Sequence, residues 1–371
     1  MEVIVRRKLL PIMVSAVLAA AFFMQGCTKG GRTASSGEIK KTFVIGELWS
    51  ESGQYASFGK SLYNGTKMAV DEINSSGGVK IGGRDYTLEL IVADDESNAD
   101  MAKNAYNTLI DKGAQAVIGP LWDEGCISVE KSANDDNMLM IMPYSGSSDS
   151  GKYDSSFRMN MSDIKEGIEI ADYAFYQMNS KKAAVLYSED DKEIAESFIK
   201  EFSDKGGNIV ARQTYSDVTK PITSIINNIK AEKPDIVFIP AQAEIAEKIL
   251  KQINNSGMSV SVIGDSGWYG MSEVEYINII SAAYLSPFGD KSKKFADDYN
   301  KKYEQKMDVY AASGYDAVYA VKEALEEAGN TDSDLQICAM NLINFDGVTG
   351  NSISFDEYGN STRDMEFVTL Q

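Results

Sequence analysis

Aromatic, hydroxyl and carboxylate side chains follow two neighbouring apolar runs of the chain. The first run closes at Val117-Ile118, and the second spans 138–142. In an open α/β sheet, ligands bind outside the carboxyl ends of the strands, where helix N-termini offer free N–H groups. These two strand ends therefore predict a binding site and not a catalytic one. The residues that follow them are Trp122, Asp123, Tyr144, Ser145, Gly146 and Ser147.

Composition excludes several classes of function. The 371 residues include no histidine, which removes the commonest general base and the commonest metal ligand. The formal charge of −19 argues against nucleic-acid binding, which needs a basic surface. We therefore predict a protein that is not an enzyme, uses no metal or cofactor and binds no nucleic acid. Whether Cys126 and Cys338 pair is left open by the sequence.

Apolar strands alternate with amphipathic helices, which predicts parallel sheets with right-handed crossovers. A helix after Gly125 is expected to turn Ile127, Val129 and Ala133 inward, and 77–83 predicts a hairpin-like turn. The other predicted elements of the first half are strands at 43–46, 86–93 and 116–119 and helices at 58–74 and 99–112.

The same alternation restarts after Ser162 and predicts a second α/β lobe. Two similar lobes with a cleft between them are therefore the expected architecture. The predicted helices of this half lie at 164–178, before 205, and at 221–231, 243–254, 289–306 and 309–328. The predicted strands lie at 183–187, 209–213, 236–239 and 260–263, with strand-like segments at 352–355 and 367–370.

The N-terminus predicts an export signal. A basic start precedes an apolar stretch that ends at Gly26-Cys27, and this junction resembles a bacterial lipobox. Residues 1–26 are therefore predicted to be a signal peptide, and 27–40 a lipidated Cys27 with a flexible tether. A single membrane-anchor helix is the alternative reading of the apolar stretch.

From residue 41 onward, the order and spacing of short motifs resemble a known family. The motifs include 52–55 with Phe58-Gly59, 71–74 before Gly77-Gly78, Gly82-Gly83, Asp94-Asp95, 117–119, Pro143, Phe157-Arg158 with Asp163, and 314–317. The chain resembles the extracytoplasmic solute-binding proteins of branched-chain amino-acid-type ABC transporters, which have the type I periplasmic binding protein fold.

The resemblance implies an α/β fold of two Rossmann-like lobes with parallel-core sheets, joined by three hinge crossovers. The crossovers would fall near residues 160, 287 and 346. The first lobe would then comprise 41–160 plus 288–346, and the second 161–287 plus 347–371.

The resemblance also implies which loops hold the ligand. In the family, the ligand carboxylate sits on N–H groups and hydroxyls of two first-lobe loops, which correspond here to Trp122-Asp123 and 144–147. Asp123 stands where branched-chain binders usually have Ser, and it would repel a ligand carboxylate unless it points away. In the second lobe an acid of the last loop commonly takes the ligand ammonium. The corresponding positions here are Asp190 to Lys192, Gln242, Asp265, Ser266 and Trp268.

The three tryptophans all follow predicted strands, in loops aimed at the cleft. They are Trp49, Trp122 and Trp268. One interpretation is an aromatic box for an apolar or cationic ligand, because a cation over an aromatic face gains about 0.5–2 kcal/mol. The other is that some of these side chains only fill the bases of loops. The same alternatives hold for Tyr55, Phe58, Tyr144, Tyr269 and Tyr310.

Two classes of function fit these features. The first is a monomeric, lipid-anchored extracytoplasmic binding protein that delivers an amino acid or similar small polar solute to an ABC permease. Within it, an aromatic or quaternary-amine ligand is the alternative to an amino acid. The second class is a ligand-sensing receptor domain of the same fold.

Overall fold

The computed structural model describes residues 41–268, 271, 279–283, 289–363 and 365–370. Cys27 and the expected signal peptide lie outside this range, as does Tyr269. Cys126 and Cys338 are both free thiols, the first buried and the second exposed. Within the described ranges, no helix is long and apolar enough to cross a membrane.

The first half of the chain forms a six-stranded sheet in the order β2-β3-β1-β4-β5-β6. All its neighbours pair in parallel except the β2–β3 hairpin, which confirms the turn expected at 77–83. The elements are β1 (Lys41–Trp49), α1 (Ala56–Ser75), β2 (Val79–Ile81), β3 (Arg84–Asp94), α2 (Ala99–Asp111), β4 (Ala116–Ile118), α3 (Asp123–Asp135), β5 (Met140–Met142) and β6 (Ser156–Arg158).

The second sheet has the order β12-β11-β10-β9-β7-β8, and only its β11–β12 pair is antiparallel. Two α/β lobes with parallel-core sheets are thereby confirmed. The remaining elements are α4 (Asp163–Asp172), β7 (Lys182–Tyr187), α5 (Lys192–Asp204), β8 (Asn208–Thr214), α6 (Thr223–Glu232), β9 (Ile236–Ile239), α7 (Ala243–Asn255), β10 (Ser261–Gly264), β11 (Ile279–Ala283), α8 (Asp290–Tyr303), α9 (Val309–Ala328), α10 (Ser333–Met340) and β12 (Glu366–Leu370).

The segment after α10 belongs to the first lobe, in contrast to the boundary expected near 346. Val348, Ile353 and Phe355 are buried in the same core as Phe157 of β6, and the Phe157 and Phe355 rings meet edge-on with centroids 5.6 Å apart. These apolar side chains lie against the first sheet, whereas Met365 packs on the second-lobe core and β12 pairs with β11 of the second sheet. The crossover expected near 287 lies outside the described residues.

Helix α3 begins at Asp123, earlier than the sequence indicates, and its buried side differs from the expected one. Cys126, Val129 and Ala133 face the core, whereas Ile127 is 38% exposed. Ile127 follows Cys126 by one residue, or about 100° around the helix, and so lies beside the buried stripe. The early start places Asp123 in the first helical turn, beside the loop that follows β5.

Glu47 is a carboxyl group fully buried inside the first lobe. It lies on β1, and its Oε2 accepts a hydrogen bond from the Thr66 hydroxyl at 2.6 Å. Burial raises the pKa of Glu47 to about 8, and the Thr66 bond opposes the rise only in part. The interior of the first lobe therefore favours the protonated, uncharged form of this side chain.

Candidate functional site

One arginine holds the loop after β5, residues 144–151, from inside the first lobe. Arg158 on β6 is 3% exposed. Its Nη1 donates to the carbonyl oxygens of Ser145, Gly146 and Ser147 at 3.3, 3.2 and 3.2 Å. Its Nη2 donates to the carbonyl of Ser150 at 2.5 Å. The guanidinium is thus committed to the backbone and turns the loop's carbonyl groups inward.

Asp123 occupies the other side of this loop and accepts its hydroxyl and N–H groups. The Ser145 hydroxyl donates to Asp123 Oδ1 at 2.6 Å and lies 2.7 Å from Ser150 Oγ. The Ser147 N–H also donates to Asp123 Oδ1, at 3.2 Å. Two of the donors expected to receive a ligand carboxylate are therefore used by a carboxylate of the chain. Asp123 does not point away.

Two further carboxylates accept N–H groups of the same loop. The N–H of Gly151 donates to Glu130 Oε2 at 2.7 Å. The N–H of Ser148 donates to Glu193 Oε2 at 2.8 Å, and Glu193 lies on α5 of the second lobe. The second bond joins the two lobes across the cleft.

A second close approach between the lobes lies at Gly146. The Asp163 N–H of α4 donates to the Gly146 carbonyl at 2.9 Å. A Cβ at position 146 would come within 1.9 Å of Asp163 Oδ1, so the lobes meet here only because residue 146 has no side chain.

Five aromatic rings collect at the cleft edge of the first lobe, and we call them the aromatic cluster. The Tyr55 ring stacks on Trp122 at 5.4 Å, and Tyr310 lies 4.7 Å from Phe58 and 5.0 Å from Tyr144 between centroids. The indole N–H of Trp122 donates to Asp95 Oδ2 at 3.3 Å, which fixes that ring. Phe58 is 36% exposed, and Tyr310 only 8%. The cluster therefore combines a rigid base with an accessible ring.

The second lobe presents carboxyl groups from three elements, and we call them the acidic edge. They are Asp163 and Glu166 of α4, Asp190 and Asp191 after β7, and Asp265 after β10. Electrostatic effects link the acidic edge to the aromatic cluster. The pKa of Tyr144 is raised well above its usual range by burial first, then by Tyr310 and by carboxyl groups of this edge. Carboxyl groups including Asp190 also help burial to raise the pKa of Tyr55.

Ionisation of the carboxyl groups in the acidic edge is energetically unfavourable. Burial raises the pKa of Asp163 to about 8, and Glu166, Asp123 and Glu193 add to the rise. Arg158 opposes it.

Asp265 shows the same effect more strongly. Burial, followed by the charges of Glu166 and Asp191, raises its pKa well above the ordinary value. Its Oδ1 accepts the Gly267 N–H at 3.1 Å. The acidic edge thus carries protons at a pH where isolated carboxyl groups have lost them.

Two of the three tryptophans do not lie where the aromatic box would need them. Trp268 is fully buried in the second-lobe core, with its ring over Gly264. It fills the interior because the chain turns inward at Ser266–Trp268, so the expectation that it encloses the ligand is wrong. Trp49 stacks on Tyr63 of α1 at 4.4 Å instead of joining the aromatic cluster.

Three other residues that were expected to contact the ligand have surroundings that differ from that expectation. Lys192 is exposed and pairs with Glu189 at 3.2 Å. Gln242 is exposed at the N-terminus of α7. Ser266 is buried, and its N–H donates to Glu166 Oε1 at 2.7 Å.

Sequence reasoning missed Asp163 and Glu166 as site residues. The available signal was position, because Asp163 and Glu166 fall in the first turn after Ser162, which caps α4 at the passage between the lobes. Among the described residues, no group of three or more Cys, Asp or Glu side chains is arranged to hold a metal ion.

Comparison with known proteins identifies similar chains. A family model described as a periplasmic binding protein matches residues 42–371. The Leu/Ile/Val-binding protein homolog 3 of Brucella melitensis is 24% identical over 309 residues, covering 79% of this chain and 81% of that protein. The leucine-, isoleucine-, valine-, threonine- and alanine-binding protein of Pseudomonas aeruginosa is 24% identical, with 88% and 89% covered.

Solved structures agree with this comparison. The branched-chain amino acid transporter substrate binding protein LivJ of Streptococcus pneumoniae, in complex with isoleucine, has a TM-score of 0.74 and 27% identity, with 89% of this chain and 96% of that chain covered. A substrate-binding protein of Desulfitobacterium hafniense in complex with Leu has a TM-score of 0.75 and 25% identity, with 89% and 98% covered.

Proposed function

Because the chain belongs to the periplasmic binding protein family, we propose that it captures a small organic solute carrying an ammonium group between its lobes. Proteins of this family are extracytoplasmic, and the relatives named above bind amino acids. The role extends to delivery of the solute, an amino acid or a related amine, to an ABC permease, with the chain acting as a monomer and without catalysis.

One observation supports a ligand with an ammonium group. The acidic edge of the second lobe faces the aromatic cluster of the first, and burial together with mutual repulsion raises the pKa values of Asp163 and Asp265. Carboxyl groups in such a state are stabilised as anions by an opposite charge within a few ångströms. A ligand ammonium supplies that charge.

The N-terminus supports a membrane-anchored location. A basic start, an apolar stretch and Gly26-Cys27 are followed by a Gly- and Ser-rich segment, so Cys27 is the proposed site of lipidation. A Cys27→Ser variant is expected to leave the membrane fraction or to retain its signal peptide. Mass spectrometry that finds an uncleaved, unacylated wild-type chain would contradict this part of the proposal.

The experiment that tests solute binding is a thermal-unfolding screen of the chain from residue 28 against amino acids, aliphatic and aromatic amines, and quaternary ammonium compounds. A ligand at 100 times its Kd adds about 2.7 kcal/mol to the free energy of unfolding. Small-angle scattering then compares the free and liganded protein, since hinge closure around a solute is expected to make it more compact. A screen in which every compound leaves the midpoint unchanged contradicts the proposal.

A further inference from the structure

We infer that the solute is an organic cation without a carboxylate, such as a primary amine or a quaternary ammonium compound. This inference rests on the proposed binding function and narrows it. It departs from the ligands named for the similar proteins above, which are amino acids and carry both charges.

The first argument concerns the groups that would hold a ligand carboxylate. Such a group needs free N–H or O–H donors, and the loop 144–151 offers the natural set. Here the hydroxyl of Ser145 and the N–H of Ser147 both donate to Asp123 Oδ1, at 2.6 and 3.2 Å. The carboxylate that these donors bind is therefore already part of the chain.

Two further N–H groups of that loop are engaged in the same way. The N–H groups of Ser148 and Gly151 donate to Glu193 and Glu130. A ligand carboxylate entering here would have to displace a bound side-chain carboxylate, and it would meet the negative charge of Asp123.

The second argument concerns the cations of the cleft loops. Arg158 is buried, and its two terminal nitrogens donate to four backbone carbonyl groups. Lys192 and Lys152 are exposed and pair with Glu189 and Asp149. Among the described residues of these loops, each of these three cations already has an oxygen partner, so none is set aside for an anionic ligand.

The third argument concerns what the cleft does offer. Carboxyl groups of the acidic edge lie close enough to Tyr144 and Tyr55 to shift the pKa of each hydroxyl. Aromatic faces attract cations through the ring quadrupole, and they do so most strongly where water is excluded. Rings on one wall and carboxyl groups on the other suit a positively charged group attached to an apolar body.

The protonation of the acidic edge also favours a cationic ligand. Glu166 and Asp123 help burial to keep Asp163 protonated to a higher pH than usual. An organic cation that enters replaces these protons and leaves the acidic edge ionised around a positive charge. An amino acid would add a negative charge to the same space.

Matched pairs of ligands test the inference without changing the protein. Calorimetry at pH 8 on the chain from residue 28 compares each amino acid with its decarboxylated amine: tyrosine with tyramine, leucine with isoamylamine, and arginine with agmatine. The best amine is expected to bind at least tenfold tighter than its amino acid. If an amino acid binds as tightly as its amine or tighter, the inference is wrong while the proposed binding function stands.

A variant then assigns the preference to Asp123. An Asp123→Ser substitution frees the Ser145 hydroxyl and the Ser147 N–H and removes one negative charge. We expect it to shift the ratio of affinities toward the amino acid by at least tenfold. Asp135→Ser, at the other end of α3 and exposed, is the matched control and should leave the ratio unchanged.

An unchanged ratio in folded Asp123→Ser would overturn the role of Asp123. The milder Asp123→Asn provides a second measurement if the serine variant does not fold, because it keeps the side-chain shape and removes the charge. Its expected result is a smaller shift in the same direction. Binding of neither member of any pair, together with a negative screen, would instead count against the proposed function.

Discussion

The two sides of the cleft use the same chemical group in opposite ways. Around the loop 144–151, carboxylates are matched to donors, and Asp123 alone receives a hydroxyl and an N–H. At the acidic edge, carboxyl groups face one another, and Asp163 and Asp265 have raised pKa values. The difference shows that the number of acids near a site says little until their partners are known. The carboxylates around the loop compensate its donors, whereas the carboxyl groups of the acidic edge repel one another and are stabilised by an added positive charge.

The largest expected effect comes from removing Arg158, the cation that holds the loop 144–151. An Arg158→Met substitution strands four carbonyl groups and leaves the charges of Asp123 and Glu130 less compensated. Loss of one partner from a buried charged network typically costs about 3–5 kcal/mol. Urea unfolding should show a loss of this size. Arg212→Met, at an exposed arginine paired with Glu196, is the control and should cost less than about 1 kcal/mol.

The next effect concerns the acidic edge, and it should appear in binding instead of stability. Asp265→Asn is expected to weaken binding of the best amine at least tenfold, which is about 1.4 kcal/mol. The free energy of unfolding should stay level or rise, because burial already disfavours the charged form of Asp265. Glu244→Gln, at an exposed acid in the first turn of α7, serves as the control. Equal affinity in both variants would remove Asp265 from the site.

A smaller effect is the proton exchange that accompanies binding. The pKa of Asp163 is raised from 3.8 to about 8, so its contribution to stability is full below about pH 4 and is lost as the pH rises through 8. A bound cation favours the ionised form, so binding at pH 7 should release protons. Calorimetry in buffers of different ionisation enthalpy measures the number released. Asp163→Asn should reduce it, and an unchanged number would assign the release to other groups.

The smallest effect is expected at Glu47, a buried acid that belongs neither to the loop 144–151 nor to the acidic edge. At about pH 4, below the ordinary pKa of 4.5, Glu47→Gln replaces one uncharged side chain with another in both the folded and the unfolded chain, so the free energy of unfolding should change by less than about 1 kcal/mol. At pH 9 the variant should be the more stable protein, because the pKa of Glu47 is about 8 and its ionisation inside the core is costly. An effect of the substitution that is the same at pH 4 and pH 9 would contradict the raised pKa of Glu47.

The sequence was sufficient for the fold because periodicity and strand ends are local signals. Leu62, Ala69, Val70 and Ile73 are buried along α1 as their helical spacing predicts. The lobe of segment 347–363 differs from the expectation because alternation identifies an extended segment without identifying the surface on which it packs. Val348 and Phe355 pack in the same core as Phe157, a residue nearly two hundred positions earlier.

The location of the site is predictable from the sequence, but its individual contacts are not. Asp123, Ser145 and Tyr144 do meet at two adjacent strand ends, as the order of the chain predicts. Which donor binds which acceptor depends on side-chain directions that spacing does not specify, so the pairing of Ser145 with Asp123 was missed. Trp268 was misplaced for the same reason, since one short turn decides whether an indole faces the cleft or the core.

The buried position of Trp268 has an optical consequence. Its ring is fully buried, and its indole N–H finds no acceptor among the described residues, so we expect short-wavelength emission that acrylamide does not quench. Trp49 and Trp122 lie in the first lobe, the former stacked on Tyr63 and the latter on Tyr55 beside the cleft. The emission of Trp268 thus reports the integrity of the second lobe, and that of Trp49 and Trp122 reports events at the first. One chain carries both a signal and its internal reference, without an attached dye.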